Sequence, residues 1–110
     1  MDFVHYGLQQ GIATIRIDDG KRNALAPAVL HELYAAFDQA EADEATVILT
    51  GRDEVFSAGF DLKVMNRGGA KAIGMLRLGY KLPARVLAYP YPVIACLLYT
   101  SDAADDAMKV

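Results

Sequence analysis

Pro27-Ala28-Val29-Leu30-His31-Glu32-Leu33-Tyr34-Ala35-Ala36-Phe37-Asp38-Gln39-Ala40, followed a few residues later by Thr46-Val47-Ile48-Leu49-Thr50, is the stretch that decides the fold. In its first part Leu30, Leu33, Tyr34, Phe37 and Ala40 recur at helical spacing, so an apolar stripe runs along one helix of about residues 27–43. Pro27 suits the first helical turn, where an N–H would have no partner within the helix. The second part is short, β-branched and almost continuously apolar, the composition of a strand covered on both faces, as parallel strands usually are. A helix feeding such a strand reads as a βαβ crossover, and the fold class is α/β.

Upstream, Ala13, Ile15 and Ile17 alternate with Thr14, Arg16 and Asp18, the period of a strand with one buried face. Phe3 to Gln9 is a weaker partner strand, and the two form a hairpin turning near Gln10-Gly11. Downstream of Gly51 comes a loop with Ser57, Ala58 and Gly59. Leu62 to Leu87 is then compatible with one long helix despite Gly68-Gly69, with Pro83 as the place for a kink. Tyr89-Pro90-Tyr91-Pro92 ends it, and Val93-Ile94-Ala95-Cys96 begins another buried strand.

The 110 residues, 54% hydrophobic and 23% charged, are those of one globular domain and exclude disordered and collagen-like classes. A lone Cys96 closes no disulfide within the chain, and with two histidines it builds no structural zinc site. The N-terminus carries no basic and apolar targeting segment, and the longest apolar run, Tyr91 to Tyr99, is too short to span a bilayer. The expectation is a soluble cytoplasmic protein without a membrane partner.

Charge is distributed unevenly. No acidic residue occurs between Leu62 and Ser101, whereas Lys63, Arg67, Lys71, Arg77, Lys81 and Arg85 stand there in two trios at i, i+4, i+8. An anionic partner is one reading, and solvated helix faces are the other. Nucleic acid is disfavoured, because the net charge is −3 and no nucleic-acid-reading motif occurs. Gly69 and Gly74 have P-loop separation, but Met75-Leu76 replace the Lys and Ser or Thr that must reach phosphate and magnesium. G-x-G-x-x-G is absent, and Ser57 lacks the nucleophile elbow of a hydrolase.

Val55-Phe56-Ser57-Ala58-Gly59-Phe60-Asp61-Leu62-Lys63 follows the buried strand and leads into a helix. Small residues let a ligand approach the backbone, and free N–H groups at a helix start carry the positive end of its dipole. Such a turn can stabilise an oxyanion. The alternative for the same joint is an Asp that only caps the helix.

Phe56-Ser57-Ala58-Gly59-Phe60-Asp61-Leu62-Lys63 resembles the first oxyanion-hole segment of the crotonase superfamily, which includes enoyl-CoA hydratase and isomerase. Lys21-Arg22-Asn23-Ala24-Leu25 resembles the family's N-A-L loop, and Pro92-Val93-Ile94-Ala95 the strand leading to the second half of its active site. The resemblance covers about residues 3–95 and implies the N-terminal part of a spiral of ββα units. It assigns the backbone N–H of Phe60 as one of two donors to the thioester carbonyl oxygen of an acyl-CoA. It also sets Ala24, Ala58, Asp61 and Leu62 at the adenine pocket and Lys63 toward the CoA phosphates, with Lys21 and Arg22 as weaker candidates. Coenzyme A is implied as part of the substrate, with no permanently bound cofactor or metal, and the parent as a homotrimer or dimer of trimers.

After Ala95 the pattern stops. The family's glycine loop with the second donor, and its later acidic residues, have no counterpart, and Glu32, Glu41, Glu44 and Glu54 are poorly placed to replace them. Residues 96–110 match nothing in the family and look like translated adaptor sequence; the alternative is a natural variant with its own short C-terminus. The expectations are a partial crotonase-like domain over 1–95, a frayed or foreign tail over 96–110, and no turnover of enoyl-CoA by this chain alone. Thioester hydrolysis, dehalogenation and decarboxylation use the same turn, and a non-catalytic CoA-binding or subunit-interaction module is the reading from a different class.

Overall fold

In the computed structural model residues 2–52, 57, 59–60 and 62–96 are described. Their order is β1 (Val4–Gln9), β2 (Ile12–Ile17), β3 (Ala24–Leu25), α1 (Pro27–Ala42), β4 (Thr46–Thr50), β5 (Gly59–Phe60), α2 (Leu62–Arg67), α3 (Gly69–Leu87) and β6 (Val93–Cys96). β1 and β2 form the expected hairpin: Gln9 faces Ile12, and Gln10 and Gly11 between them both take positive φ, 52° and 78°. That is the tight turn whose twist matches the strands it joins.

The crossover is also present. α1 carries the chain from β2 to β4, which lies parallel to β2, and β6 lies parallel to β4, giving the sheet order β1-β2-β4-β6. α1 stops on a glycine-type signal supplied by a glutamate. Glu44 sits at φ 54°, its N–H bonds the carbonyl of Glu41, and the N–H of Ala45 reaches back to Ala40 at 3.0 Å. These two bonds satisfy carbonyls that the helix end would leave orphaned.

The alternating residues decide where the core lies. Val4, Ala13, Ile15, Ile17 and Val47 project from one sheet face onto Val29, Leu33, Ala36, Phe37 and Ala40 of α1, all buried. Tyr89 closes the cluster, edge-on to Phe37 at 5.7 Å, with its hydroxyl donating to the carbonyl of Ala45. Arg85 joins α3 to α1: it bonds Asp38 at 3.0 Å and Glu41 at 2.9 Å while its guanidinium lies over the rings of Phe37 and Tyr89. So Arg85 belongs to a helix–helix contact, whereas Arg77 and Lys81 of the same trio are exposed.

Two expectations are corrected, the single helix over 62–87 and the burial of β4 and β6. The single helix over 62–87 is two, because Gly68 and Gly69 take φ of 62° and 67° and end the helical path between α2 and α3. Pro83 lies inside α3, as the sequence reading has it, and removes the N–H that would donate to the carbonyl of Gly79. β4 is covered on one face only among the described residues: Val47 is fully buried, Ile48 beside it is partly open, and Ile94 of β6 is 54% exposed. Among the described residues no helix is long and apolar enough to cross a membrane.

Candidate functional site

The segment between β2 and β3 is built by side chains that bond their own backbone. Asp18 accepts the N–H of Gly20 at 2.9 Å, and Asp19 accepts those of Lys21 and Asn23 at 2.7 and 3.0 Å. The N–H of Gly20 is the main reason that the Asp18 carboxyl lies below the usual range; Arg16, Arg52 and His5 add to it against the opposing effect of burial. Arg52 reaches across from the end of β4 to donate to the carbonyl of Lys21.

Asn23 holds the segment from inside. Its side chain is fully buried, donating to the carbonyl of Ile17 at 2.7 Å and accepting from the N–H of Asp19 at 3.0 Å, while its backbone stands at φ 55°. Asparagine is among the few non-glycine residues that tolerate this region. The chain leaves Asn23 as β3, which pairs with β5 in parallel: Ala24 opposite Gly59, Leu25 opposite Phe60. Ser57 ties the two again, its hydroxyl donating to the carbonyl of Asn23 at 2.8 Å and accepting from the N–H of Gly59 at 3.1 Å. Gly59 turns at φ 87°, a conformation any side chain would strain. The two short strands were expected as loops, and it is their mutual pairing that makes them strands.

Beside β3 lies a pocket of about 400 Å³ whose lining includes Lys21, Arg22, Ala24, Lys63, Asp19 and Val29. Four of the expected site residues thus meet in one cavity, three of them cationic. Phe60 stands in β5, half-buried, with its ring against Tyr80 of α3 at 6.0 Å rather than in that lining. Leu62 opens α2 and is 72% exposed. Ala58 and Asp61, expected beside the same pocket, lie outside the described residues, as do Glu54 and residues 97–110.

A larger cavity, about 630 Å³, lies between α1 and the pair α2–α3 and is lined among others by His31, Arg67, Lys71 and Met75. The basic trio Lys63-Arg67-Lys71 is therefore shared between two cavities. Glu32 bonds the N–H groups of Phe3 and Val4 at 2.9 and 3.0 Å, which fastens β1 to α1. His5 and His31 are exposed and Cys96 is half-buried in β6. Among the described residues no group of three or more His, Cys, Asp or Glu side chains could hold a metal ion.

Sequence reasoning missed Asn23 and Ser57 as the fasteners of this joint. A signal was present in each, an asparagine directly after a Gly-Lys-Arg turn and a small hydroxyl two residues before a glycine, but neither identifies its distant partner.

The family described as Enoyl-CoA hydratase/isomerase matches residues 7–98. The chain belongs to the enoyl-CoA hydratase/isomerase family. A probable enoyl-CoA hydratase of Bacillus subtilis is 30% identical over 101 residues, which cover 88% of this chain and 39% of that protein. Among solved structures, an enoyl-CoA hydratase/isomerase family protein from Pseudomonas syringae aligns with a TM-score of 0.86 at 42% identity, over 89% of this chain and 43% of the other. The probable enoyl-CoA hydratase EchA3 of Mycobacterium tuberculosis aligns with a TM-score of 0.82 at 47% identity, over 86% and 41%. The chain spans about two fifths of the length of those relatives, and its α/β architecture is the corresponding part of the crotonase-like fold.

Proposed function

We propose that this chain is the acyl-CoA-binding part of an enoyl-CoA hydratase/isomerase. In this reading Lys21, Arg22 and Lys63 face the phosphates of coenzyme A, while Ala24 with Ala58, Asp61 and Leu62 borders its adenine. The backbone N–H of Phe60 donates to the thioester carbonyl. Charge grows on that oxygen as the enolate forms, and one lost donor of this kind costs about 2.7–4 kcal/mol of transition-state stabilisation. The observation that carries the reading is the cavity beside β3 lined by Lys21, Arg22, Ala24 and Lys63. Lysine acts there as a point charge, suited to a ligand with several phosphates.

The substrate brings its coenzyme A with it, so no resident cofactor is needed. General acid and base groups are expected in the longer parent, a cytoplasmic trimer or dimer of trimers, and not in the 110-residue chain. In the same reading the tail of the chain, after residue 98 where the family match stops, adds nothing to the family domain.

Calorimetric titration of coenzyme A into the 110-residue chain tests this. Binding is expected, weakening as salt rises and falling about tenfold, equivalent to ~1.4 kcal/mol, when Lys21, Arg22 and Lys63 are all replaced by Ala. Unchanged affinity in that variant, or no binding at all, refutes it. A second reading keeps the thioester and changes the reaction: two 4-chlorobenzoyl coenzyme A dehalogenases of Arthrobacter are each 41% identical over 66 residues, 57% of this chain. Release of chloride from 4-chlorobenzoyl-CoA, set against hydration of crotonyl-CoA by the longer parent, separates the two.

A further inference from the structure

α3 contains two interior glycines, Gly74 and Gly79, and glycine is a poor helix former compared with alanine. Their surroundings differ. A Cβ built on Gly74 meets nothing within 4 Å, whereas one built on Gly79 overlaps the ring of Phe60 at Cε1 and Cζ and comes within 3.5 Å of Cδ1. Gly79 therefore leaves a notch in α3 that the Phe60 ring fills. Tyr80, the next residue along the helix, meets the same ring edge-on, with the planes 62° apart.

The other end of β5 is fixed independently. β5 is two residues long, paired to β3 by Ala24–Gly59 and Leu25–Phe60, and Ser57 holds the N–H of Gly59. The ring of Phe60 hangs from the same Cα as its amide, and Gly59 before it turns at φ 87°. A Cβ at position 79 would displace the ring either about its own side-chain torsions or together with its Cα, and only the second moves the amide.

We infer that Gly79 is a positioning residue: by lacking a side chain it lets the Phe60 ring dock on α3 and so sets where the Phe60 amide stands. The functional consequence rests on the reading of that amide as the oxyanion donor. The structural part does not. Gly79 touches no substrate in this account and acts only through Phe60.

The test uses the full 110-residue chain, labelled with ¹⁵N, and the variants Gly74→Ala, Gly79→Ala, Phe60→Ala and Phe60→Ala/Gly79→Ala. Gly74→Ala is expected to raise the melting temperature by about 3–6 °C, the ordinary gain of alanine in a helix. Gly79→Ala is expected to lower it and to move the amide resonances of Gly59, Phe60 and Leu25. With the ring removed by Phe60→Ala, adding Gly79→Ala is expected to raise it as at position 74. The inference is overturned if Gly79→Ala stabilises the chain with Phe60 in place and leaves the Phe60 amide unmoved.

Butyryl-CoA and free coenzyme A then separate the two readings. The Phe60 amide of the unsubstituted chain is expected to shift more with butyryl-CoA than with coenzyme A, and Gly79→Ala is expected to cut that excess at least about fivefold. An equal excess in both chains overturns the positioning role. An unsubstituted chain whose Phe60 amide ignores the acyl group refutes the donor reading alone, and the stability cycle then still decides what Gly79 does.

Discussion

Asn23→Ala should be among the most damaging single changes in the 18–60 region, and its size can be worked from the contacts. The amide is fully buried, and the backbone groups it serves include the carbonyl of Ile17 at 2.7 Å and the N–H of Asp19 at 3.0 Å. Ile17 is itself in the core, so its carbonyl is left without that donor and away from water, at about 1–3 kcal/mol. The Asp19 N–H is nearer the surface and loses about 1 kcal/mol. Alanine must also hold φ 55°, which costs it about 1 kcal/mol more than it costs asparagine. Together the loss is about 3–5 kcal/mol. Urea unfolding followed by circular dichroism reads it directly: with a slope of about 1–2 kcal/mol per M for a chain this small, the midpoint should fall by about 1.5–5 M. Asn23→Gly, which removes the backbone strain but not the lost bonds, should recover about 1 kcal/mol of it. A midpoint for Asn23→Ala within about 0.5 M of the parent, at that slope, would refute the claim that this side chain holds the β2–β3 segment.

Glu44→Gly should stabilise the chain by up to about 1 kcal/mol, because glutamate stands at φ 54° in the position that closes α1 and glycine takes that conformation without strain; thermal unfolding checks it, and a lower melting temperature would count against the argument. Asp18 supplies a pH dependence. Its carboxyl is lowered by the Gly20 N–H and, with smaller weight, by Arg16, Arg52 and His5, so the stability it contributes is present above the unfolded-state value near 4 and is lost as pH falls through the lower folded value. Asp18→Asn should therefore flatten the acid limb of a stability–pH curve, measured from pH 6 down through about pH 3, and an unchanged limb would remove Asp18 as its cause.

How much of this was legible in the sequence depends on the range of the interaction. Period-two and helical spacing are local, so the hairpin, α1, β4 and β6 could be read within a residue or so, and the crossover followed from their order. β3 and β5 could not, because two residues have no period: Ala24-Leu25 and Gly59-Phe60 are strands only because they pair with each other. The Gly68-Gly69 break was visible as composition, yet whether two glycines end a helix or merely weaken it depends on the φ they adopt, here 62° and 67°. The cationic residues were found by family resemblance; that Lys21 and Arg22 share a cavity with Lys63 required the fold.

The partial cover of β4 follows from the same reasoning. Thr46-Val47-Ile48-Leu49-Thr50 has the composition of a strand packed on both faces, and α1 packs on one of them. On the other, Ile48 lies next to Ile94 of β6 in the ladder, and Ile12 of β2 stands at its edge, 43% exposed. Side chains of that kind in register on a sheet face make an apolar surface that a folded protein ordinarily buries. Among the described residues α1 supplies the cover on one face, and the other face of the strand stays partly open.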